Sequence, residues 1–172
     1  DFANGGNDVF ISRILSEFAE QGVLCRLAKG VYYKPVMTKF GVLMPDVQEI
    51  VKAIARRDNA QVLPTGETAA NLLGLSTQVP MNYVYLTSGS ARKIMVGKKT
   101  VTFKRCVPKN FACQNEFLAV LIQAMKAIGQ ERLTDEHCVV IKGLLMKHLP
   151  IESLDADMKN APLWVRRMVY NI

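Results

Sequence analysis

The sequence predicts an α/β (α+β) protein in which a small β-sheet packs with several helices. Of its 172 residues, 49% are hydrophobic, which is enough to form a buried core. Alternating apolar and polar residues with turn signals occupy residues 82–105, as expected for strands. Apolar residues at helical spacing dominate the segments on either side. We therefore expect a sheet in the middle of the chain and helices before and after it.

The segment from Leu63 to Arg105 predicts a helix, a strand and a hairpin in succession. Thr65 is expected to cap the helix, and Gly74 is expected to end it in a left-handed conformation. Gly97-Lys98 fits a two-residue type II′ turn, which sets the register of the hairpin. The core face then contains Ile94, Val96, Val101 and Phe103. The face toward water or an anion contains Lys93, Thr100, Thr102 and Lys104.

The net charge of +7 is carried by residues 88–110. This segment has seven basic and no acidic residues, whereas bases and acids balance in the rest of the chain. The basic residues are Arg92, Lys93, Lys98, Lys99, Lys104, Arg105 and Lys109. Such a surface suits phosphate or an acidic partner. The alternative is that the lysines only protect a sheet edge from aggregation.

The first 40 residues combine a helix, a turn and a basic hairpin. Apolar residues at helical spacing run from Ile11 to Phe18, Gly22 ends the helix, and two short strands surround Ala28-Lys29. This order is typical of the second half of a winged helix-turn-helix, in which the helix reads bases and the wing meets phosphates. The candidate DNA-binding residues are Asn7, Ser12, Arg13, Ser16, Arg26 and Lys29. The alternative is a helix and a hairpin that pack together without a role in DNA binding.

The remaining segments predict a connector and further helices. Residues 35–45, which contain Gly41 and two prolines, are expected to separate a domain at 1–40 from a domain at 45–172. Helices are expected at residues 46–57, 115–128 and 134–148, with a short helix or turn at 151–158 and a last helix from Pro162. The chain begins with Asp1 rather than Met, so we expect further residues upstream and a winged unit that is only partial here.

The chemistry-bearing residues predict no catalytic site, metal or cofactor. His137 and His148 are eleven residues apart on one predicted helix, which separates them by roughly 16 Å, too far to share a metal. They are better explained as structural or surface histidines. The four cysteines lack paired spacing, which favours buried thiols in a reducing cytoplasm. No run approaches the roughly 18 apolar residues of a membrane span.

Several short segments carry a resemblance to a known family. They are LCRLAKGVYY at 24–33, PTG at 64–66, AANLLGLSTQVP at 69–80, VYLTSG at 84–89 and, more weakly, APLWV at 161–165. In these segments the chain resembles the AbiEi-like antitoxins of type IV toxin–antitoxin systems, in their transcriptional-regulator subgroup. The resemblance implies an N-terminal winged helix, a C-terminal antitoxin domain and no catalytic residue. It also implies binding to the protein's own promoter DNA and action against a nucleotidyltransferase-like toxin.

Two other functions stay open at this point. One is a protein-interaction module that binds an acidic partner through the basic hairpin, without DNA. The other is a nuclease, which would need carboxylates gathered around Glu67. A continuous basic surface from Arg13 and Lys29 to Lys104 would favour DNA, whereas a basic hairpin facing away from the wing would favour a protein partner.

Overall fold

The computed structural model describes residues 8–171 and confirms the predicted mixed α/β class. Its α-helices are α1 (Asp8–Glu20), α2 (Val47–Arg57), α3 (Glu67–Leu72), α4 (Glu116–Ile128), α5 (Asp135–His148), α6 (Leu154–Met158) and α7 (Leu163–Tyr170). Short 3-10 helices cover Pro108–Phe111 and Gln130–Arg132. The strands are β1 (Cys25–Ala28), β2 (Val31–Tyr33), β3 (Val36–Thr38), β4 (Gly41–Leu43), β5 (Val62–Pro64), β6 (Asn82–Thr87), β7 (Arg92–Val96) and β8 (Lys99–Arg105).

The central sheet has the strand order β5-β6-β8-β7. Strands β5 and β6 are antiparallel, and β7 and β8 form the predicted hairpin. Strands β6 and β8 pair in parallel, with Tyr83 opposite Val101 and Tyr85 opposite Phe103. The parallel pair is possible because β7 carries the chain back before β8 begins. Two separate two-stranded hairpins, β1–β2 and β3–β4, precede the sheet in the chain.

The β7–β8 hairpin has the predicted register. Val96 lies opposite Lys99 and Ile94 lies opposite Val101, and Gly97 in the turn has a φ of 60°. All four predicted core residues are buried. The exposure of Lys93 and Lys104 is also confirmed. The prediction that Thr100 faces water is wrong, because this residue is buried and its hydroxyl donates to Met95 Sδ at 3.3 Å.

Two hydrophobic clusters organise the described residues. The first, here called the sheet core, joins one face of the central sheet to α2 and to Val31 of the β1–β2 hairpin. The second, here called the helical core, joins α3 to α4, α5, α6 and α7. Helix α2 contributes Val47, Ile50, Val51 and Ile54 to the sheet core. The β1–β2 hairpin is therefore packed against the sheet rather than held only by the chain.

The structure contradicts one local prediction and adds an element that was not predicted. Thr65 does not cap α3, because Gly66 occupies the capping position with no side-chain hydrogen bond. The Thr65 hydroxyl instead donates to Gln123 Oε1 on α4 at 3.0 Å, which ties the start of α3 to α4. Residues 35–45, which were predicted as a connector, contain the β3–β4 hairpin, which was not predicted. Gly74 ends the helical segment with a φ of 69°, as predicted.

Candidate nucleic-acid interface

Helix α1 presents its polar side chains on an open surface. Ser12 and Arg13 are exposed, and Arg13 has a side-chain exposure of 79%. Its guanidinium donates from Nε to Glu17 Oε1 at 3.0 Å, which is a surface ion pair one helical turn away. Asn7, the remaining predicted helix residue toward the N-terminus, lies outside the described residues. The helix therefore presents a basic side chain that is paired with an exposed carboxylate.

The helix and the β1–β2 hairpin meet through a polar contact. Ser16 Oγ donates to Ser12 O at 2.9 Å, so it accepts from the Tyr32 hydroxyl, which lies 3.3 Å away. Arg26 lies opposite Tyr32 across the hairpin, with its guanidinium carbon 5.9 Å from the centre of the Tyr32 ring. Two of the predicted residues, Ser16 and Arg26, are thus brought together around a tyrosine that the sequence did not single out. Only its position in the LCRLAKGVYY segment pointed to it.

The turn of the β1–β2 hairpin is fastened to α2. Lys29 is exposed at this turn, and its carbonyl oxygen accepts from Arg57 Nη1 at 2.8 Å. Gly30 follows with a φ of 71°, and a Cβ there would lie 3.0 Å from Arg57 Nη1. Glycine is favoured here by the left-handed backbone, and a larger residue would also displace the Arg57 guanidinium slightly. The lysine side chain is thereby presented from a turn that the rest of the fold holds in place.

Asp58 links Arg57 to Arg92, the first basic residue of the segment 88–110. Its carboxylate pairs with Arg57 at 2.8 Å through Oδ1 and with Arg92 through Oδ2. The Asp58 carboxylate therefore neutralises Arg92, whose side chain is only 24% exposed. Arg92 thus adds little to the predicted basic surface. Lys99 is also engaged, because its ammonium nitrogen lies 5.6 Å from the centre of the Tyr83 ring.

The remaining basic residues do not share one face. Lys93 and Lys104 alternate with the buried residues of β7 and β8, so they point away from the sheet core. Val31 of the β1–β2 hairpin belongs to that core, so the two lysine side chains point away from the sheet face that the core covers. Lys98 is exposed in the β7–β8 turn, Arg105 at the end of β8, and Lys109 in the 3-10 helix at Pro108–Phe111. The basic side chains of residues 88–110 therefore do not form one continuous face.

The histidines are structural or lie at the surface. His137 Nδ1 accepts from the backbone N–H of Thr134 at 3.1 Å, and Nε2 lies 3.1 Å from Leu75 O. It completes a capping box with Thr134 at the start of α5. His148 is exposed and stacks on Phe117 with ring centres 4.0 Å apart.

Other chemistry-bearing groups are dispersed over residues 8–171. In this range no three His, Cys, Asp or Glu side chains come close enough to hold a metal ion, and Glu67 is exposed. The four cysteines are unpaired thiols. Burial, together with the charge and hydrogen bond of Asp157, raises the pKa of Cys113 to about 12. None of the described helices is both long and apolar enough to cross a membrane.

The fold and this surface define a mixed α/β protein with a helix–hairpin unit packed beside a small sheet. The chain belongs to the family of unknown function DUF6088, whose model matches residues 1–153. The match covers the helix–hairpin unit, the sheet and the first helices after it. No curated protein and no solved structure matches the chain. Since the family description names no activity, the resemblance to AbiEi-like antitoxins stays a prediction.

Proposed function

We propose that the chain is a DNA-binding transcriptional regulator of antitoxin type, acting in the cytoplasm on its own promoter. The observation that carries this proposal is the contact between α1 and the β1–β2 hairpin, where Ser16 meets Tyr32 at 3.3 Å. Arg13 on α1 and both Arg26 and Lys29 on the β1–β2 hairpin are exposed. A helix beside a basic hairpin is the arrangement that places the helix in a major groove and the wing along the phosphates. Action against a nucleotidyltransferase-like toxin rests on the family resemblance alone.

The residues have different expected roles in this proposal. Arg13 is expected to donate to the edge of a guanine, with Ser12 beside it. Its ion pair with Glu17 must open for this to happen, and an exposed pair of this kind is worth at most about 1 kcal/mol. Arg26 and Lys29 are expected to contact phosphates, which carry no sequence information.

The test is a mobility-shift titration of the protein on its upstream DNA at several salt concentrations. Arg13→Ala is expected to cost about 1–3 kcal/mol of binding and to relax specificity at one base. Lys29→Ala is expected to weaken binding to all sequences alike and to lower the salt dependence by about one unit. Glu17→Gln is the matched control, because it leaves Arg13 in place and removes its competitor. This change should leave binding equal or tighter.

The proposal fails if the double variant Arg13→Ala/Lys29→Ala binds as tightly as the wild type at every salt concentration. Circular dichroism melting of each variant shows whether the fold is kept. Both side chains are exposed, so little change in stability is expected.

A second function is favoured by the placement of Lys93 and Lys104. Because these lysines face away from the sheet core, they suit an acidic protein partner rather than the same DNA. Lys93→Glu/Lys104→Glu should abolish binding to such a partner and leave the promoter titration unchanged. A loss of DNA binding in this variant would instead place the lysines in the DNA interface.

A further inference from the structure

The β3–β4 hairpin presents an unusual surface. All six strand residues are exposed, and none of them belongs to either hydrophobic cluster of the described residues. The exposed large apolar side chains are Val36, Met37, Phe40, Val42 and Leu43. Phe40 is 90% exposed at the tip. A two-stranded hairpin that buries so little is marginally stable in water alone, so this surface is suited to a contact outside the described fold.

The base of the hairpin is anchored while its tip projects. Tyr33, at the end of β2, donates from its hydroxyl to Met44 Sδ at 3.3 Å, and Met44 packs against the sheet core. Gly97 of the β7–β8 turn lies beside the same side chain, since a Cβ there would be 3.7 Å from Met44 Cγ. Lys98 and Lys99 follow that glycine directly, so two bases lie near the base of the hairpin.

The tip is held in one conformation. Thr38 Oγ1 donates to Gly41 O at 2.8 Å and accepts from the backbone N–H of Phe40 at 3.2 Å. The Lys39 ammonium nitrogen lies 5.1 Å from the centre of the Phe40 ring. The two hydrogen bonds hold the backbone that carries Phe40, so the backbone loses little entropy when the ring inserts into a partner.

The positive charge around the β3–β4 hairpin indicates what kind of partner it binds. Residues 21–45 contain Arg26, Lys29, Lys34 and Lys39 and no acidic residue; the first acid after them, Asp46, caps α2. A second copy of the chain would bring the same positive charge to the contact, which opposes self-association. Apolar wedges with neighbouring lysines are what minor-groove proteins use to unstack a base step and hold the backbone.

We propose that the β3–β4 hairpin is a second DNA contact, which inserts Phe40 between base pairs from the minor groove. Lys34 and Lys39 then neutralise phosphates on either side. This inference rests on the proposed function, because α1 and the β1–β2 hairpin bring the protein to the duplex. The insertion bends the DNA and adds affinity that base reading by α1 does not supply.

The test uses overlapping 40-base-pair duplexes that cover the upstream DNA, each carrying 2-aminopurine at successive positions. Wild-type protein should raise the 2-aminopurine fluorescence at one step. Phe40→Ala should abolish that rise and weaken binding by about tenfold or more. Val139→Ala is the control, because Val139 is a 71%-exposed apolar residue on α5, outside the hairpin. The control should behave as wild type in both measurements.

The outcomes separate the two proposals. If wild-type protein binds a duplex and Phe40→Ala binds and unstacks it equally well, the hairpin proposal is overturned and the proposed function stands. If wild-type protein binds none of the duplexes, the proposed function itself fails and the hairpin proposal fails with it. Sedimentation in which wild type is a dimer and Phe40→Ala a monomer, with unchanged fluorescence, would assign the hairpin to self-association and also overturn the proposal.

Discussion

Asp157 is the one charged side chain that is buried within the described residues. Its carboxylate accepts from the backbone N–H groups of Gln114 and Asn115 at 2.7 and 2.9 Å. It also accepts from Ser153 Oγ at 2.8 Å. Asn115 in turn caps α4 through Leu118 N. The carboxylate therefore fixes the chain at the point where the central helix of the helical core begins.

We expect Asp157→Asn to lower the free energy of unfolding by about 1–3 kcal/mol, because an amide nitrogen would face backbone donors that the carboxylate satisfies. Urea denaturation at neutral pH measures the change. Asp155→Asn is the matched control on the same helix. Asp155 is exposed and accepts from the Tyr170 hydroxyl, so its loss should be well under that of Asp157. Equal urea midpoints for Asp157→Asn and Asp155→Asn would contradict the role of Asp157 in holding the start of α4.

The same residue predicts an acid-sensitive contribution to stability. Burial alone would raise the pKa of Asp157, but the hydrogen bonds from Gln114, Asn115 and Ser153 lower it below its usual range. A carboxyl with a depressed folded-state pKa stabilises the fold fully above its unfolded pKa, about 3.9. This stability is lost as the pH falls through the folded pKa. Asp157→Asn should therefore show a smaller loss of stability than wild type between about pH 5 and pH 2.

At the scale of elements, the sequence could predict those features that are encoded by neighbouring residues, such as turns and the register of a hairpin. The Gly97-Lys98 turn and the alternation of β7 and β8 are local patterns, and their register was predicted correctly. The parallel pairing of β6 with β8 joins strands that are separated in the chain, and no local pattern encodes such a pairing. The β3–β4 hairpin was missed because its Gly41 and its prolines also fit a connector.

Replacing Gly97 and Gly143 by alanine should change the free energy of unfolding in opposite directions. Gly97 has a φ of 60°, so Gly97→Ala should destabilise the protein by about 1 kcal/mol through backbone strain. The added Cβ would make only ordinary contact with Met44. Gly143 lies inside α5, where a Cβ would project into open space. Gly143→Ala should stabilise by about 0.5–1 kcal/mol, because alanine favours the helix. Thermal unfolding of both variants measures the difference, and a shift of the same sign in both would contradict the turn assignment.

At the scale of the whole molecule, the candidate DNA surface depends on contacts that are distant in sequence. The sequence predicted Ser12, Arg13, Arg26 and Lys29 as candidates because polar residues on a helix and a hairpin leave a local pattern, and all four are exposed in the structure. It could not identify Arg57, which reaches the Lys29 carbonyl from 28 positions along the chain. It also placed Arg92 among the free bases, because its pairing with Asp58 forms only when α2 and β7 meet.

The hydrogen bond from Arg57 to the Lys29 carbonyl predicts that Arg57 positions the β1–β2 turn and does not itself bind phosphate. Arg57→Met removes the hydrogen bond to Lys29 O and keeps most of the apolar stem. Amide hydrogen exchange at residues 29–31 should then become faster, since the turn loses its attachment to α2. DNA affinity should fall several-fold while the salt dependence stays at the wild-type value, because no phosphate contact is removed.

Lys52→Met, at an exposed residue on the same helix, controls for the loss of one positive charge near the site. It should leave the exchange rates at residues 29–31 unchanged. Lys29→Ala gives the contrasting pattern, with a salt dependence that is lower by about one unit. If Arg57→Met lowers the salt dependence in the same way and leaves exchange at the turn unchanged, Arg57 itself binds phosphate. Its hydrogen bond to Lys29 would then not be what presents the wing to DNA.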